Sequence, residues 1–199
     1  KTDGREAFVY DDNGRLIERG DEFVFAGSEV ELDVAGSYQR YEYDLRGRLV
    51  AVYGIDEEDG GSGSAGELVL LARYTYNDRG YRIQSASADG KIINYTFDSH
   101  PTEGKVLEEV EIGGGADGAG VTSYVYFGSL HLARIRDGVT EYYGTDHLGS
   151  TVLLTDDRGR EVWSGSVTPF ADQESSGEGE SVKFTGKDLD AATGLYYFN

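Results

Sequence analysis

Asp146 and His147 stand side by side with Ser150 three residues on, the residue types of a relay in which an imidazole takes a hydroxyl proton and a carboxylate orients the ring. The spacing works against such a relay. Consecutive strand residues point to opposite faces, whereas the imidazole must lie within hydrogen-bond reach of both partners at once. No Gly-x-Ser-x-Gly elbow is present to expose the serine. The expectation is that His147 orders a turn between Tyr142-Tyr143 and a strand at Thr151–Thr155, and that the chain is not an enzyme. No catalytic, cofactor-binding or metal-binding residue is assigned.

The remaining chemistry-bearing residues are sparse. His100 and His131 have no Cys and no second ligand at zinc spacing near them, and read as surface or turn residues. Asp56, Glu58, Gly61 and Glu67 fall at the first, third, sixth and twelfth positions of an EF-hand-like loop, but Gly60 holds the fifth and the flanks read as strands. The run GGGADGAGV, from Gly113, is one blurred copy of a calcium-binding β-roll repeat that needs neighbours stacked above and below. Calcium is thus the one cofactor left open, against the plainer reading of acidic solvated loops. Trp163, alternating with Val162 before Pro169-Phe170, reads as a core anchor, with a sugar platform as the alternative.

Whatever these residues do, a sheet must hold them. Fifteen Tyr, eight Phe and 29 Gly against two Pro describe strand formers punctuated by residues that tolerate positive φ, which is an all-β signature. A formal net charge of −19 argues against a nucleic-acid or anionic-membrane surface, since phosphates are bound by Lys and Arg that displace counterions. It suits a solubilising coat on an extended sheet, or attraction of a cation or basic partner. The chain has no Cys, so disulfides, thiolate metal sites and a cysteine nucleophile are excluded. It has no apolar run of the roughly 18 residues a bilayer span needs, and its first residues do not read as a signal peptide. It also has no Met, which suggests an internal piece of a longer polypeptide.

The organising feature is a repeat. FVYDDNGRLIERG, YEYDLRGRLVAVYG and YTYNDRGYRIQSAS carry their second aromatics at Tyr10, Tyr43 and Tyr76, each 33 positions from the last. A weaker copy starts at Asn94, and the frame Asp-x-x-Gly-Arg returns at Asp156. An aromatic-x-aromatic triplet puts both rings on one face of a strand. The Asp then bonds the backbone two residues on, and Gly supplies the left-handed position that closes a short hairpin with a bulge. Gly14, Gly47, Gly80 and Gly159 are therefore read as turn glycines; a phosphate loop would need a GxGxxG or Walker pattern and a following helix. The most helix-like run, GELVLLARYTYN, leads into an aromatic triplet and is read as a strand. Polar loops rich in Gly, Asp and Glu separate the units at 56–67, 112–120 and 171–181.

These hairpins resemble the YD repeats of Rhs proteins, with Tyr10-Asp11 and Tyr43-Asp44 as the naming pair and Tyr76-Asn77 and Phe97-Asp98 as departures. The C-terminal part is similar to the Rhs repeat-associated core, through DHLGS at Asp146, T-D-x-x-G at Thr155, Pro169-Phe170 and FTGKDLDAATGLYY from Phe184. The expected organisation is YD-repeat hairpins over 1–140 and the core over 141–199. The resemblance implies successive antiparallel β-hairpins in a continuous curved or spiralling sheet, part of a shell wall that encloses a C-terminal toxin and helps deliver it. Teneurin-like relatives use the same shell in adhesion, so an extracellular YD-repeat fibre or adhesin is the alternative. Implied partners are further YD-repeat segments and enclosed cargo, and the implied location is secreted, exported or at the cell surface. The sequence stops before the Asp-Pro-x-x-Gly motifs at which the family's autoprotease aspartates lie, and Asp188 and Asp190 receive no catalytic role.

Overall fold

The computed structural model describes residues 6–21, 23–26, 29–32, 37–55, 67–99, 104–114, 119–167, 173–175 and 184–198. No α-helix occurs among them, and one 3₁₀ turn lies at Phe184–Gly186. The first strands are β1 (Ala7–Tyr10), β2 (Leu16–Gly20), β3 (Phe23–Ala26), β4 (Glu29–Leu32), β5 (Gln39–Tyr43), β6 (Leu49–Ile55) and β7 (Leu68–Tyr76). Next come β8 (Arg82–Ser87), β9 (Ile92–Phe97), β10 (Val106–Ile112), β11 (Ala119–Phe127) and β12 (Leu130–Arg136). The chain continues through β13 (Val139–Thr145), β14 (Thr151–Thr155), β15 (Glu161–Val167) and β16 (Gln173–Ser175), then β17 (Leu189–Asp190) and β18 (Leu195–Tyr196).

Fourteen of these strands form one sheet in the order β1-β2-β5-β6-β7-β8-β9-β10-β11-β12-β13-β14-β15-β16, so that nearly every strand pairs with its neighbour in sequence. β3–β4 and β17–β18 are separate two-stranded ladders. This is the expected chain of antiparallel hairpins. The run from Leu68 is a strand, as its aromatic ending required. Length and periodicity alone leave a short apolar run ambiguous, and β-formers at its end decide it.

The bulge expected from the turn chemistry recurs in one place. In six hairpins the register shifts where the return strand begins: Glu42 faces Ala51 and Tyr43 faces Leu49, leaving Val50 over. The same shift leaves over Ile17, Leu107, Leu132, Val152 and Val162. Each extra residue is β-branched or Leu, and Leu107, Leu132 and Val162 are exposed. A bulge bends its strand and increases the local right-handed twist.

The chain divides into two compact units, Lys1–Thr75 with Ser85–Ala88, and Tyr76–Gln84 with Asp89–Asn199. The first buries Ala7, Tyr38, Tyr41, Ala51, Val52, Ala72 and Tyr74. Tyr41 and Tyr74 open aromatic triplets; Tyr43, which closes one, is half-buried and donates its hydroxyl to Leu16 O at 2.8 Å. The second buries Tyr95, Tyr124, Ala133, Leu154 and Trp163. Trp163 lies opposite Leu154 in the β14–β15 ladder and is the core anchor the sequence indicated.

Candidate functional site

One turn, made five times among the described residues, sets the local geometry. It begins at Asp11, Asp44, Asn77, Asp146 and Asp156, whose side-chain Oδ1 accepts backbone N–H groups from the residues two and four ahead at 2.8–3.0 Å. The backbone closes the same loop: the first residue's N–H donates to the fifth carbonyl, and the fourth, always Gly, donates to the first carbonyl, at 2.9–3.1 Å. That Gly sits at φ +73° to +94°, where a side chain would be strained. An acceptor one methylene from the backbone is what this turn needs, which is why only Asp and Asn open it. Where the fifth residue is Arg15, Arg48 or Arg160, its guanidinium also reaches back to Oδ2 at 2.6–2.7 Å. Those arginines hold Asp11 and Asp44, through the side-chain bond, and Asp156, through the backbone bond first, below the usual carboxylate range.

DHLGS is this turn with Ser150 in the fifth position. Asp146 accepts from Leu148 and Ser150 N–H, and Gly149 is its left-handed fourth residue. Burial pushes the Asp146 carboxyl up, but the backbone bonds from Ser150 and Leu148, the Ser150 hydroxyl and the nearby His147 together hold it below the usual range. The turn lies where it was expected, between β13 and β14, but Asp146 orders it; His147 is its exposed second residue. Ser150 is buried, 1 % exposed, and its Oγ accepts the Thr185 N–H at 3.1 Å. Its hydroxyl thus ties the turn to the segment 184–198.

That segment is fastened to the β8 side by a single buried cation. Arg82, 4 % exposed, reaches Asp188 at 2.8 Å and Asp190 at 3.7 Å. Its guanidinium carbon stands 4.4 Å from the Tyr197 ring centre and 5.1 Å from that of Tyr95, and the Arg82 backbone N–H donates to the Tyr197 hydroxyl at 3.0 Å. The planar, weakly hydrated guanidinium is the cation that tolerates being sandwiched between rings while bonding carboxylates. Asp188 and Asp190, given no role from sequence, are therefore its counter-ions. The segment closes on itself through Tyr197 N–H to Asp188 O at 2.9 Å and an Asx turn at Asp190. Thr185, a β-branched residue at φ +50°, is strained there.

Between the segment and the strands lies a cleft of about 550 Å³, with Phe97, Glu109, Tyr126, His131, Leu148 and Lys187 among its lining. His131 is a correction to the sequence reading: it is neither a surface nor a turn residue. It sits on β12 opposite Tyr126, with the rings of Tyr126, Tyr143 and Tyr124 at 4.4, 5.4 and 5.9 Å. Burial, with Lys105 and Lys187 adding, lowers its pKa to about 4, so it is neutral at pH 7. Glu109 moves the other way. Loss of hydration and the Asp188 charge raise it to about 8, against the hydrogen bond from Tyr124 and the charges of Arg136 and Arg82.

These two groups fix a pH dependence. Glu109 binds a proton in the folded chain and not in the unfolded one between its ordinary 4.5 and about 8, so its contribution to stability falls as pH rises across that window. His131 binds a proton only when unfolded between about 4 and its ordinary 6.5, so its contribution rises with pH there. From pH 4.5 to 6.5 the two offset. Above that, Glu109 acts alone, and thermal melts should show stability falling by roughly 1 kcal/mol per pH unit up to its folded pKa. A flat profile across the upper window would contradict this assignment.

His100, the calcium-like positions Asp56, Glu58, Gly60 and Gly61, residues 115–118 of GGGADGAGV and Pro169-Phe170 lie outside the described residues. Glu67, which closes the EF-hand-like frame, is exposed. Among the described residues no cluster of three or more His, Asp or Glu is arranged to hold a metal ion, and no helix is long and apolar enough to cross a membrane. Sequence reasoning missed Arg82 and Glu109. The available signal was Asp188-x-Asp190, since two acids two residues apart project to one face and require a cation opposite.

A sheet of consecutive antiparallel hairpins is the class of fold described here. It is shared with a Tc holotoxin pore of Photorhabdus luminescens carrying a TccC3 point mutation: 97% of this chain superposes with a TM-score of 0.60 at 14% sequence identity. This chain spans 11% of the length of that one. Crystal structures of TcdB2-TccC3, free of its hypervariable C-terminal region or with Cdc42, match over 96% of this chain at 15% and 16% identity, with TM-scores of 0.41 and 0.39, and 13% of their length is covered. No family model and no curated sequence matches the chain. The likeness to the holotoxin chain, at a TM-score of 0.60, establishes the fold, and it is the all-β fold of successive hairpins that the YD-repeat resemblance implied.

Proposed function

We propose that this chain is a wall segment of an Rhs-type shell that encloses a toxin carried by the same polypeptide and helps to deliver it outside the producing cell. The observation that carries this reading is the uninterrupted strand order from β5 to β16, in which each strand is hydrogen-bonded to the next in sequence. Such a wall opens only if many backbone hydrogen bonds break together, while its loops accept insertions without a change of register. The fold shared with a toxin complex over almost the whole chain supports the reading. So do the charged and tyrosine-rich residues on the face beneath 184–198, because a strongly apolar lining would trap unfolded cargo. In this reading the partners are further segments of the same kind together with the cargo. Asp146, His147 and Ser150 are turn residues without catalytic work, and no cofactor is needed.

The second reading is an extracellular fibre or adhesin. It is favoured by β1 and β16, the outermost strands of the sheet, each with one neighbour among the described residues. An open edge is a template for pairing with another chain. Electron microscopy of the intact parent polypeptide separates the two. Closed hollow particles that shield a C-terminal extension from added protease are the expected result; filaments, or open particles whose extension is digested at once, would overturn the container.

A further inference from the structure

We propose that the cleft between the strands and the strap formed by residues 184–198 is a binding site for a small aromatic carboxylate. Its ring is received by Phe97, Tyr126 and His131, and its carboxylate by the ammonium groups of Lys105 and Lys187. The inference does not depend on the wall reading.

Two Gly-Lys pairs build the charged part of the cleft. Gly104 runs so close to Tyr81 that an added Cβ would lie 2.6 Å from the ring. Gly186, at φ +68°, passes with its Cβ position 3.3 Å from Gly149 O and 3.7 Å from His131 Nδ1. A residue without a side chain is what lets each backbone lie this close. Each glycine thereby sets the lysine that follows it on the lining, Lys105 just ahead of β10 and Lys187 on the strap. The Lys105 ammonium donates to Gly128 O and stands 5.7 Å from the Tyr126 ring centre. A carbonyl and a ring face position that ammonium without cancelling its charge. The charges of both lysines reach His131, where they add to burial in keeping the imidazole neutral.

The aromatic part is fixed before any ligand arrives. Tyr126 is tied by its hydroxyl to Val106 O at 2.8 Å and has the His131 ring at 4.4 Å. Phe97 stacks on Tyr81 at 5.0 Å, and the Tyr81 hydroxyl accepts the Gly104 N–H at 3.0 Å. Rings locked in this way lose little freedom on binding. The volume of about 550 Å³ is that of a small-molecule site. Three acids also line the cleft, and each is occupied. Asp146 accepts two N–H groups of its own turn, and Asp188 bonds Arg82 at 2.8 Å. Burial and the Asp188 charge keep Glu109 protonated at pH 7. What the lining offers an incoming molecule is positive charge beside aromatic faces, which selects an anion that carries a ring.

Titration of the 199-residue chain with para-hydroxybenzoate at neutral pH, followed by backbone amide chemical shifts, tests this. Saturable shifts centred on Lys105, His131 and Lys187 are expected at about 1 mM ligand or below. The corresponding benzamide keeps the ring and loses the charge, while acetate keeps the charge and loses the ring; each should bind about tenfold more weakly or worse. Changing Lys105 and Lys187 together to Gln should weaken para-hydroxybenzoate by about tenfold or more and leave the benzamide within about twofold. If the double variant does not fold, Lys105→Gln and Lys187→Gln singly should each weaken the carboxylate by about threefold or more. Absence of saturation up to about 10 mM, shifts centred elsewhere, or lysine variants that bind like the parent would each overturn the proposal. So would a benzamide, an acetate or a para-hydroxybenzylamine that binds as tightly as the benzoate.

Discussion

Replacing Arg82 with Met should cost the second unit about 3–5 kcal/mol, the range for removing one partner of a buried ion pair. Methionine fills much of the arginine volume, so the loss is not that of a cavity. It comes from removing the guanidinium that stands 2.8 and 3.7 Å from Asp188 and Asp190, two neighbouring carboxylates. The rings of Tyr95 and Tyr197 lose their cation in the same step. Lysine at this position keeps the charge but loses the planar fork and the stacking, and should fall between the two. A triple change that also makes Asp188 and Asp190 leucine should recover most of the loss, because a well-packed apolar cluster costs no desolvation. Urea melts followed by the fluorescence of Trp163, the one tryptophan of the chain and a member of the same unit, measure all three. A Met variant within about 1 kcal/mol of the parent would mean that Arg82 is solvated in solution and does not fasten the strap.

Trp163→Ala should be comparably damaging, at about 3–5 kcal/mol, for a different physical reason. Trp163 is 2 % exposed and lies across from Leu154, which is 0 % exposed, so truncation removes a large apolar contact and leaves a void. Because β14 and β15 are laddered on both sides, the backbone is poorly placed to collapse into that void. Trp163→Phe should lose well under half as much, since a ring still fills most of the site. Circular dichroism follows these variants, which lack the fluorophore. Equal stability of the Ala variant and the parent would remove Trp163 from the core.

The sequence disclosed what is local. Asp or Asn, the backbone two residues on and a left-handed Gly three residues on are all within one loop, so Gly14, Gly47, Gly80 and Gly159 could be read as turn glycines with no knowledge of the sheet. Asp146 opens the same turn at the same spacing. It drew attention as chemistry because His147 and Ser150 are residue types that also serve in hydrolysis, while position four of the loop, Gly149, carries the identifying information. Strand order was legible for the same reason: short turns force consecutive strands to pair.

What stayed hidden depends on distant residues or on register. Arg82 and Asp188 are 106 positions apart, and nothing near Arg82 distinguishes it from the exposed arginines of other hairpins. The acids two residues apart at Asp188 and Asp190 indicate that a cation faces them without indicating which. His131 was misplaced because its neighbours are set by a bulge: the shift between Val125 and Tyr126 aligns His131 with Tyr126 and leaves Leu132 over. Without that extra residue the alternation along β12 would put the imidazole on the other face. Glu109 is one of three glutamates on β10, and what sets its chemistry apart, burial together with the charge of Asp188, comes from residues distant in sequence.

The measurement that bears most directly on the account is a set of thermal melts of Asp146→Ala, Asp44→Ala and His147→Ala beside the parent chain. If DHLGS is one more copy of the turn that builds the sheet, the two Asp variants lose stability by comparable margins and the His variant stays within about 0.5 kcal/mol of the parent, as an exposed turn residue should. If instead His147→Ala is as damaging as Asp146→Ala, or Asp146→Ala leaves the melt untouched while Asp44→Ala does not, then Asp146, His147 and Ser150 are not a turn of the wall and the structural reading of this chain fails at its centre.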